Sequence, residues 1–524
     1  MPTFKLDGRE ISFEPGETVI QAAWRVGIEI PHYCWHPGLS VAANCRMCLV
    51  HITSGRQMAM PQLERDEETG EYVPSTKPKL QPACQLAAEE NMEVSSTSDV
   101  VKEAQASVQE FLLLNHPVDC PICDQAGECK LQDYYYSHQA TLKRKLTEPV
   151  HKPKGVRFGP TIVYDAERCI MCTRCIRVCD EVAHDHVLDM RERGNKAEII
   201  LAPGRELDHK YTLMTEHVCP VGALTSSDFR FKARVWFLKS APSVCTGCAT
   251  GCNSHADYDP RYGKVYRLRP RDNPDVNKFW MCDDGMMTYT RHETDRLLMP
   301  TAGRGDEREP VLDDEALWLA AEQLRKVEAS KLAVVLSAQH TTEDNVALVK
   351  LAQALGAGHL YLAALGGWEG DDILRSDDNN PNRAGAIQAA GGTQLKTVAE
   401  LLTEVQAGVV QGVLALGWAT AERLEELAPL VALETVVSLT SHVGALPAVA
   451  SVAIPVADIY EIEGCFVNDK GMAQAFKPVL PAPVGVEPGW KAIAALASQL
   501  GHDLGFQDLQ ALRQGLTTDV EAAQ

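Results

Sequence analysis

The sequence predicts a multidomain chain, α+β through its first half and α/β through its second. At 524 residues the chain is too long for one hydrophobic core, given roughly 100–200 residues per domain. Sixteen of its 17 cysteines lie between Cys34 and Cys282, and only Cys465 lies beyond. After about residue 298 the sequence turns Ala- and Leu-rich, and short apolar runs alternate with helix-period segments, the pattern of strands joined by crossover helices.

Composition narrows the class. Hydrophobic residues at 45% and charged residues at 23% suit a folded globular chain. A formal charge of −21 disfavours a phosphate-binding surface, so no nucleic-acid partner is expected. Residues 1–14 alternate like a strand and lack the basic start and apolar run of a signal peptide, which predicts a cytoplasmic protein. The best apolar runs, 332–336 and 452–456, are strand-sized, so membrane attachment is expected through partners alone. In a reducing compartment, cysteines spaced two or three residues apart read as thiolate ligands of soft metals.

The first group is Cys34, Cys45, Cys48 and Cys84. The sequence before it predicts a hairpin turning near Pro15-Gly16, then an amphipathic helix carrying Val19, Ala22, Ala23 and Val26. This stretch resembles a plant-type ferredoxin with a β-grasp fold. Three cysteines on one loop with a distant fourth suit a [2Fe-2S] cluster, although ten residues separate the first two where plant ferredoxins have four. Structural zinc is the alternative.

The second group follows a helix whose predicted apolar face is Ala104, Val108, Phe111 and Leu112. Pro117 predicts that this helix ends at His116. His116, Cys120, Cys123 and Cys129 then follow as H-x3-C-x2-C-x5-C, a spacing that by itself also fits zinc. The string NHPVDCPICDQAGECKLQD resembles the signature of the large iron-sulfur subunit of complex I and of related hydrogenase subunits. That resemblance implies a [4Fe-4S] cluster with His116 as its fourth ligand. The ten-residue gap in the first group also suits this family.

Cys169, Cys172 and Cys175 have the C-x2-C-x2-C spacing of bacterial ferredoxins, and Cys219, before a proline, is the typical remote ligand. Together they predict one [4Fe-4S] cluster. Cys179 would serve a second cluster only if another such set adjoined Cys219, and none does, so it is read as a remnant without metal. The fourth group is Cys245, Cys248, Cys252 and Cys282. It resembles the cluster module of molybdopterin oxidoreductases and an extra cluster of some bacterial complex I enzymes, with a zinc ribbon as the alternative. Near the groups the chain is basic at Lys143, Arg144, Lys145, Lys152, Lys154, Arg230, Lys232 and Arg234, which reads equally as solvated surface or as cations that offset thiolate-cluster charge or meet acidic partners.

Beyond residue 298, strands are predicted at 332–337, 413–417, 435–440 and 452–456, and helices at 341–355 and over AERLEELAPL. The stretch VAIPVADIYEIEGCFVNDKGMAQAF resembles the molybdopterin-oxidoreductase domain that complex I keeps without its cofactor. Cys465 is read as a packed small residue. The region is short for a complete pterin enzyme and is read as a scaffold, with no molybdopterin expected.

The resemblance implies a [2Fe-2S] β-grasp domain over 1–98, a one-histidine three-cysteine segment over 99–145 and a ferredoxin-like [4Fe-4S] domain over 146–240. A [4Fe-4S] module over 241–298 and a shortened molybdopterin-oxidoreductase-like α/β domain over 299–524 follow. It implies one [2Fe-2S] and three [4Fe-4S] clusters. The implied partners are a flavin- and NADH-binding subunit, smaller iron-sulfur subunits and the membrane arm of complex I, at the cytoplasmic face of the bacterial inner membrane. No dinucleotide fingerprint, flavin site or quinone site is found, so the chain is read as an electron relay without a complete active site. An [FeFe]-hydrogenase would need a further cysteine-rich domain, and a molybdenum formate dehydrogenase a metal-ligating residue and pterin contacts. A zinc scaffold is the non-redox alternative.

Overall fold

A computed structural model of the chain describes residues 1–56, 62–75, 77–138, 148–417 and 424–514. It divides into two units, Met1–Phe237 and Leu238–Gln524. Lys143, Arg144 and Lys145 lie outside the described residues, as does the start of AERLEELAPL, whose end forms helical turns at Leu424–Leu427 and Ala428–Val431.

In the first unit, β1 (Thr3–Leu6) pairs antiparallel with β2 (Arg9–Ser12). Asp7 and Gly8 close the hairpin at φ 48° and 79°. The turn is therefore at Asp7-Gly8 and not near Pro15-Gly16. An Asp-Gly pair tolerates the positive φ angles of a two-residue hairpin turn, whereas Pro15-Gly16 only leads the chain into α1 (Val19–Arg25). Thr18 caps that helix, its N–H donating to Gln21 Oε1 at 2.9 Å. Val19, Ile20, Ala22 and Ala23 are buried, but Val26 lies past the helix end and is exposed. With β3 (Leu49–Ser54), β4 (Leu80–Pro82) and β5 (Glu93–Ser95), a five-stranded sheet forms in the order β2-β1-β5-β3-β4. Phe4, Leu6, Ile20, Trp35, Val50, Ile52 and Met92 fill its core.

Helix α2 (Asp99–Leu113) ends three residues before His116, and its buried face is Val101, Gln105 and Gln109. Phe111, expected inside, is 73% exposed. The buried glutamine has partners: Gln109 accepts from the Tyr33 hydroxyl and donates to the Leu131 carbonyl at 2.9 Å, so a polar face can pack inward at little cost. Leu131 belongs to α3 (Lys130–His138). The unit is completed by a three-stranded sheet of Val156–Arg157, Ile162–Tyr164 and Leu224–Ser226, by a hairpin of Leu188–Arg191 with Glu198–Leu201, and by the short helix α4 (Arg174–Arg177).

The second unit opens with the antiparallel strands β6 (Lys239–Val244), β7 (Asn253–Asp259) and β8 (Lys264–Pro270). An eight-stranded mixed sheet follows, built from β9 (Thr301–Ala302), β10 (Glu309–Pro310), β11 (Leu332–Ser337), β12 (His359–Ala363), β13 (Lys396–Thr397), β14 (Gly412–Leu416), β15 (Thr435–Thr440) and β16 (Val452–Pro455). Its order is β10-β9-β16-β15-β14-β11-β12-β13, parallel from β16 to β13 and antiparallel at β9 and β10. Strand alternation builds two cores. Val334, Leu336, Leu414 and Leu439 face helices α5 (Asp313–Arg325), α6 (Thr342–Leu355) and α7 (Gly489–Leu500), while Ala333, Val335, Val413 and Val436 face Leu401, Leu430 and Leu446. The predicted strands and the helix over 341–355 agree with this sheet. Among the described residues no helix is long and apolar enough to cross a membrane.

Candidate metal centres

None of the 17 cysteines forms a disulfide. In the first group Cys34, Cys45 and Cys48 lie on the chain running from α1 into β3, and Cys84 follows β4. Cys34, Cys48 and Cys84 are buried. The Cys34 backbone N–H donates to Cys45 Sγ at 3.5 Å. The shared hydrogen bond with Cys45 pulls the Cys34 thiol down to about 5, against burial, while the same bond and burial push Cys45 up. Cys48 and Cys84 form a second such pair, with Cys48 pushed up and Cys84 lowered. The structure thus gathers all four.

Cys169, Cys172, Cys175 and Cys219 line one small cavity with Tyr164, Ile199 and Leu224. Left-handed residues Met171 (φ 55°) and Thr173 (φ 61°) let so short a loop turn three thiols inward. Burial pushes Cys169 up to about 11 and Cys175 far above its usual range, helped by neighbouring thiolates. Cys179 is not in that lining. It is buried on the next turn, with His209 Nε2 3.4 Å from its sulfur. His209 Nδ1 accepts the Tyr211 N–H at 3.1 Å, so Nε2 is the protonated nitrogen and donates to the Cys179 sulfur.

In the second group, burial and the charges of neighbouring cysteines raise Cys123 and bring Cys129 up to about 11, Cys120 acting on both. His116 begins this loop half-buried, with its ring Nδ1 inside the protein. A Cβ on Gly222 would stand 2.3 Å from Cys123 Sγ, so the loop after Cys219 closes directly onto the second group. Two of the basic residues, Arg234 and Lys154, are tied to this loop. Arg234 donates to the carbonyl of Cys123 at 2.7 Å and to that of Pro121. Lys154 meets Asp119, Asp165 and Glu167 at 3.3, 3.2 and 2.9 Å.

In the second unit Cys245 follows β6, Cys252 precedes β7, and Cys282 caps the short helix Asp283–Met286, its sulfur accepting the Gly285 N–H at 3.3 Å. The Cys245 N–H donates to the Cys252 carbonyl at 2.8 Å. A Cβ on Gly285 would lie 3.1 Å from Cys245 Sγ and 3.3 Å from Cys282 Sγ. Burial brings Cys245 up to about 12, with Cys248 adding to it. Cys465 is buried on the strand Gly464–Val467, its N–H held by Glu343 Oε2 at 2.9 Å. At the carboxyl ends of β11, β14, β15 and β16 a cavity of about 360 Å³ is lined by His292, His340, His442, Asp458 and Tyr460 among others, the crevice position expected for parallel sheets.

These donor sets fit iron-sulfur clusters. The donors are soft sulfurs gathered at short spacings, which iron of a bound cluster would hold as thiolates. Two buried cations adjoin the first and third groups without a carboxylate: Arg174 and Arg177, whose Nε–H groups find no acceptor among the described residues. Sulfur of a bound cluster is a suitable acceptor. Among the described residues no three His, Cys, Asp or Glu side chains converge closely enough for a single metal ion. The two arginines were not singled out in sequence, although charges inside CTRCIRVC, a loop whose ligands must be buried, were the available signal.

Residues 1–99 match the family model of a 2Fe-2S iron-sulfur cluster binding domain. Residues 105–144 match the NADH-ubiquinone oxidoreductase-G iron-sulfur binding region, and 159–225 the ferredoxin-like domain of NADH-quinone oxidoreductase subunit 3. The G subunit of the NADH-quinone oxidoreductase of Streptomyces coelicolor is 32% identical over 98% of this chain and 56% of its own length. Subunit 3 of the Thermus thermophilus enzyme is 34% identical over 69% of this chain and 47% of its own. The G subunit from Mycobacterium bovis is 35% identical over 67% and 42%. The chain thus spans about half the length of these relatives. It is a multidomain α/β protein with a 2Fe-2S domain, a 4Fe-4S binding region, a ferredoxin-like domain and a large mixed sheet, and it belongs with the G/3 iron-sulfur subunits of NADH-quinone oxidoreductase, complex I.

Proposed function

We propose that this chain is the electron relay of a respiratory NADH:quinone oxidoreductase, carrying electrons from a flavin- and NADH-binding partner toward smaller iron-sulfur subunits and quinone. Cys34, Cys45, Cys48 and Cys84 hold a [2Fe-2S] cluster on a β-grasp domain (1–98). His116, Cys120, Cys123 and Cys129 (99–145), Cys169, Cys172, Cys175 and Cys219 (146–240), and Cys245, Cys248, Cys252 and Cys282 (241–298) hold [4Fe-4S] clusters. Residues 299–524 form a scaffold of molybdopterin-oxidoreductase type that works without the pterin. The assembly sits at the cytoplasmic face of the bacterial inner membrane, attached through its membrane-arm partners.

The observation that carries this reading is the set of four cysteines lining one small cavity, at Cys169, Cys172, Cys175 and Cys219, inside the segment matched to the ferredoxin-like domain. Bound clusters supply one-electron redox chemistry. The chain's own residues exclude water, set hydrogen bonds to the sulfurs and fix separations. The Arg177 guanidinium bonds the carbonyls of both Cys34 and Cys172, and Gly222 brings the loop after Cys219 against Cys123. These contacts support a path from the first group through the third to the second.

The test is elemental analysis with visible and EPR spectra of anaerobically purified protein. About fourteen iron atoms per chain with matching acid-labile sulfide are expected from one binuclear and three tetranuclear sites. Stoichiometric zinc with little sulfide would overturn the reading, and stoichiometric molybdenum would overturn the pterin-free scaffold.

A further inference from the structure

Two buried guanidiniums lie between the first and third cysteine groups. Arg174 and Arg177 stand on α4, inside the ligand motif and one helical turn apart, and each is only 9% exposed. Arg177 donates to the Cys34 carbonyl at 2.6 Å, to the Cys172 carbonyl at 3.3 Å and to the Ser40 carbonyl. Arg174 donates to the Trp35 carbonyl and, at 3.1 Å, to the Val218 carbonyl next to Cys219. Both residues therefore hold backbone at or beside ligands of two different groups.

Their charge has an unusual setting. Buried arginines are normally paired with carboxylates, because desolvating a cation is costly. Among the described residues neither guanidinium has a carboxylate within ion-pair distance, and both Nε–H groups lack an acceptor. Burial works against the charge on Arg174, and the groups near it that favour that charge are the cysteine side chains of Cys172, Cys219 and Cys34. A brace between loops needs only donors to carbonyls; asparagine or glutamine would supply them without the desolvation cost. Two full positive charges make physical sense where negative charge appears on both sides.

We propose that Arg174 and Arg177 form a shared cationic bridge that favours the reduced state of both adjoining centres, tuning the two potentials together as positioning residues. The inference rests on reading both cysteine groups as cluster ligands. Each centre gains one negative charge on reduction, and a fixed cation in a low-dielectric site stabilises that form. The electron comes from the external reductant, and no bond is made or broken.

The test is an anaerobic EPR-monitored redox titration of the cluster-loaded chain, comparing wild type with Arg177→Gln and Arg177→Lys. In Arg177→Gln both the [2Fe-2S] signal and the Cys169-group signal should become about tenfold harder to reduce, a downward shift of about 59 mV for a one-electron couple. The His116-group signal should shift less, and Arg177→Lys should recover most of the loss. Unmoved potentials in Arg177→Gln, or equal losses with lysine, would overturn the proposal. Should Arg177→Gln fail to load either centre, Arg174→Gln, which leaves the Arg177 bonds in place, is judged by the same criterion. Wild-type chain lacking either signal would instead remove the cluster assignment itself.

Discussion

The two units build their cysteine groups into different surroundings. In the first unit three groups fall within Met1–Phe237 and share connecting side chains: Arg177 spans Cys34 and Cys172, and Asn44 Nδ2 donates to the Met171 carbonyl at 3.1 Å. Arg168, beside Cys169, pairs with Asp119, beside Cys120, at 2.7 Å. In the second unit a single group lies between β6 and β7 and at the start of the short helix Asp283–Met286, with Val244 beside it packed among Ala457, Ile462, Phe466 and Phe476. The first arrangement ties cysteine groups to one another. The second places one cysteine group in a unit with its own hydrophobic cores.

Removing a ligand at the junction of the first unit should break this coupling most severely. Cys172 lines the shared cavity and its carbonyl lies under Arg177. In an assembled complex, Cys172→Ala should lose the Cys169-group signal and reduce NADH-to-quinone electron transfer to background. Cys48→Ala should do the same through the first group. Activity normalised to bound flavin is the measurement, and near-normal turnover in either variant would place that group off the path.

The next largest effect is expected at His116. The ring is half-buried at the start of a loop whose three cysteines act on one another electrostatically. His116→Ala should remove or remodel one tetranuclear centre, taking up to about four iron atoms per chain with it, while the other signals persist. Full iron with unchanged spectra would show that the imidazole is not a ligand.

The same contrast explains what could be read from sequence. Cysteine spacing marks four candidate groups, because thiols that are to share a metal centre must return to one place at short, fixed intervals. The strands of the second unit were equally legible, since β11, β15 and β16 are continuous apolar runs buried on both faces. The hairpin turn was misplaced because Pro15-Gly16 is as strong a turn signal as Asp7-Gly8, and only strand pairing decides between them. The inward face of α2 was missed for a different reason. Gln109 is buried because Tyr33 and Leu131 supply its hydrogen bonds, and those partners come from distant parts of the chain. Helical periodicity ranked Phe111 above it on hydrophobicity alone.

For the second unit a smaller and different loss is expected. Cys282 caps Asp283–Met286 and its sulfur lies beside Gly285, so the proposed fourth centre would organise local structure. Metal sites of this kind contribute directly to the stability of the fold they close. Cys282→Ala should lower the yield or thermal tolerance of assembled complex, yet turnover per flavinated complex should stay near wild type because the first three groups remain. Assembled, fully flavinated Cys282→Ala complexes unable to reduce quinone would put the fourth centre on the path and erase the distinction between the units.

The smallest effect is expected at Cys179, which motif spacing alone would rank with its neighbours. It stands four residues after Cys175, but the cavity formed by Cys169, Cys172, Cys175 and Cys219 does not include it. Its sulfur instead faces His209, whose protonated Nε2 lies 3.4 Å away and whose other nitrogen is committed to the Tyr211 backbone. The pair is a partly buried hydrogen bond between the segment after α4 and the chain leading to Cys219. Cys179→Ala should keep the iron content and the Cys169-group spectrum, and cost about 1 kcal/mol, the usual scale for a buried truncation. Chemical denaturation of the loaded chain measures the stability change, and EPR the spectrum. His209→Ala provides the partner measurement: if the two residues act only on each other, the double variant should cost less than the two single losses combined. Loss of about four iron atoms in Cys179→Ala would instead make Cys179 a ligand and require the cavity residues to serve a different centre.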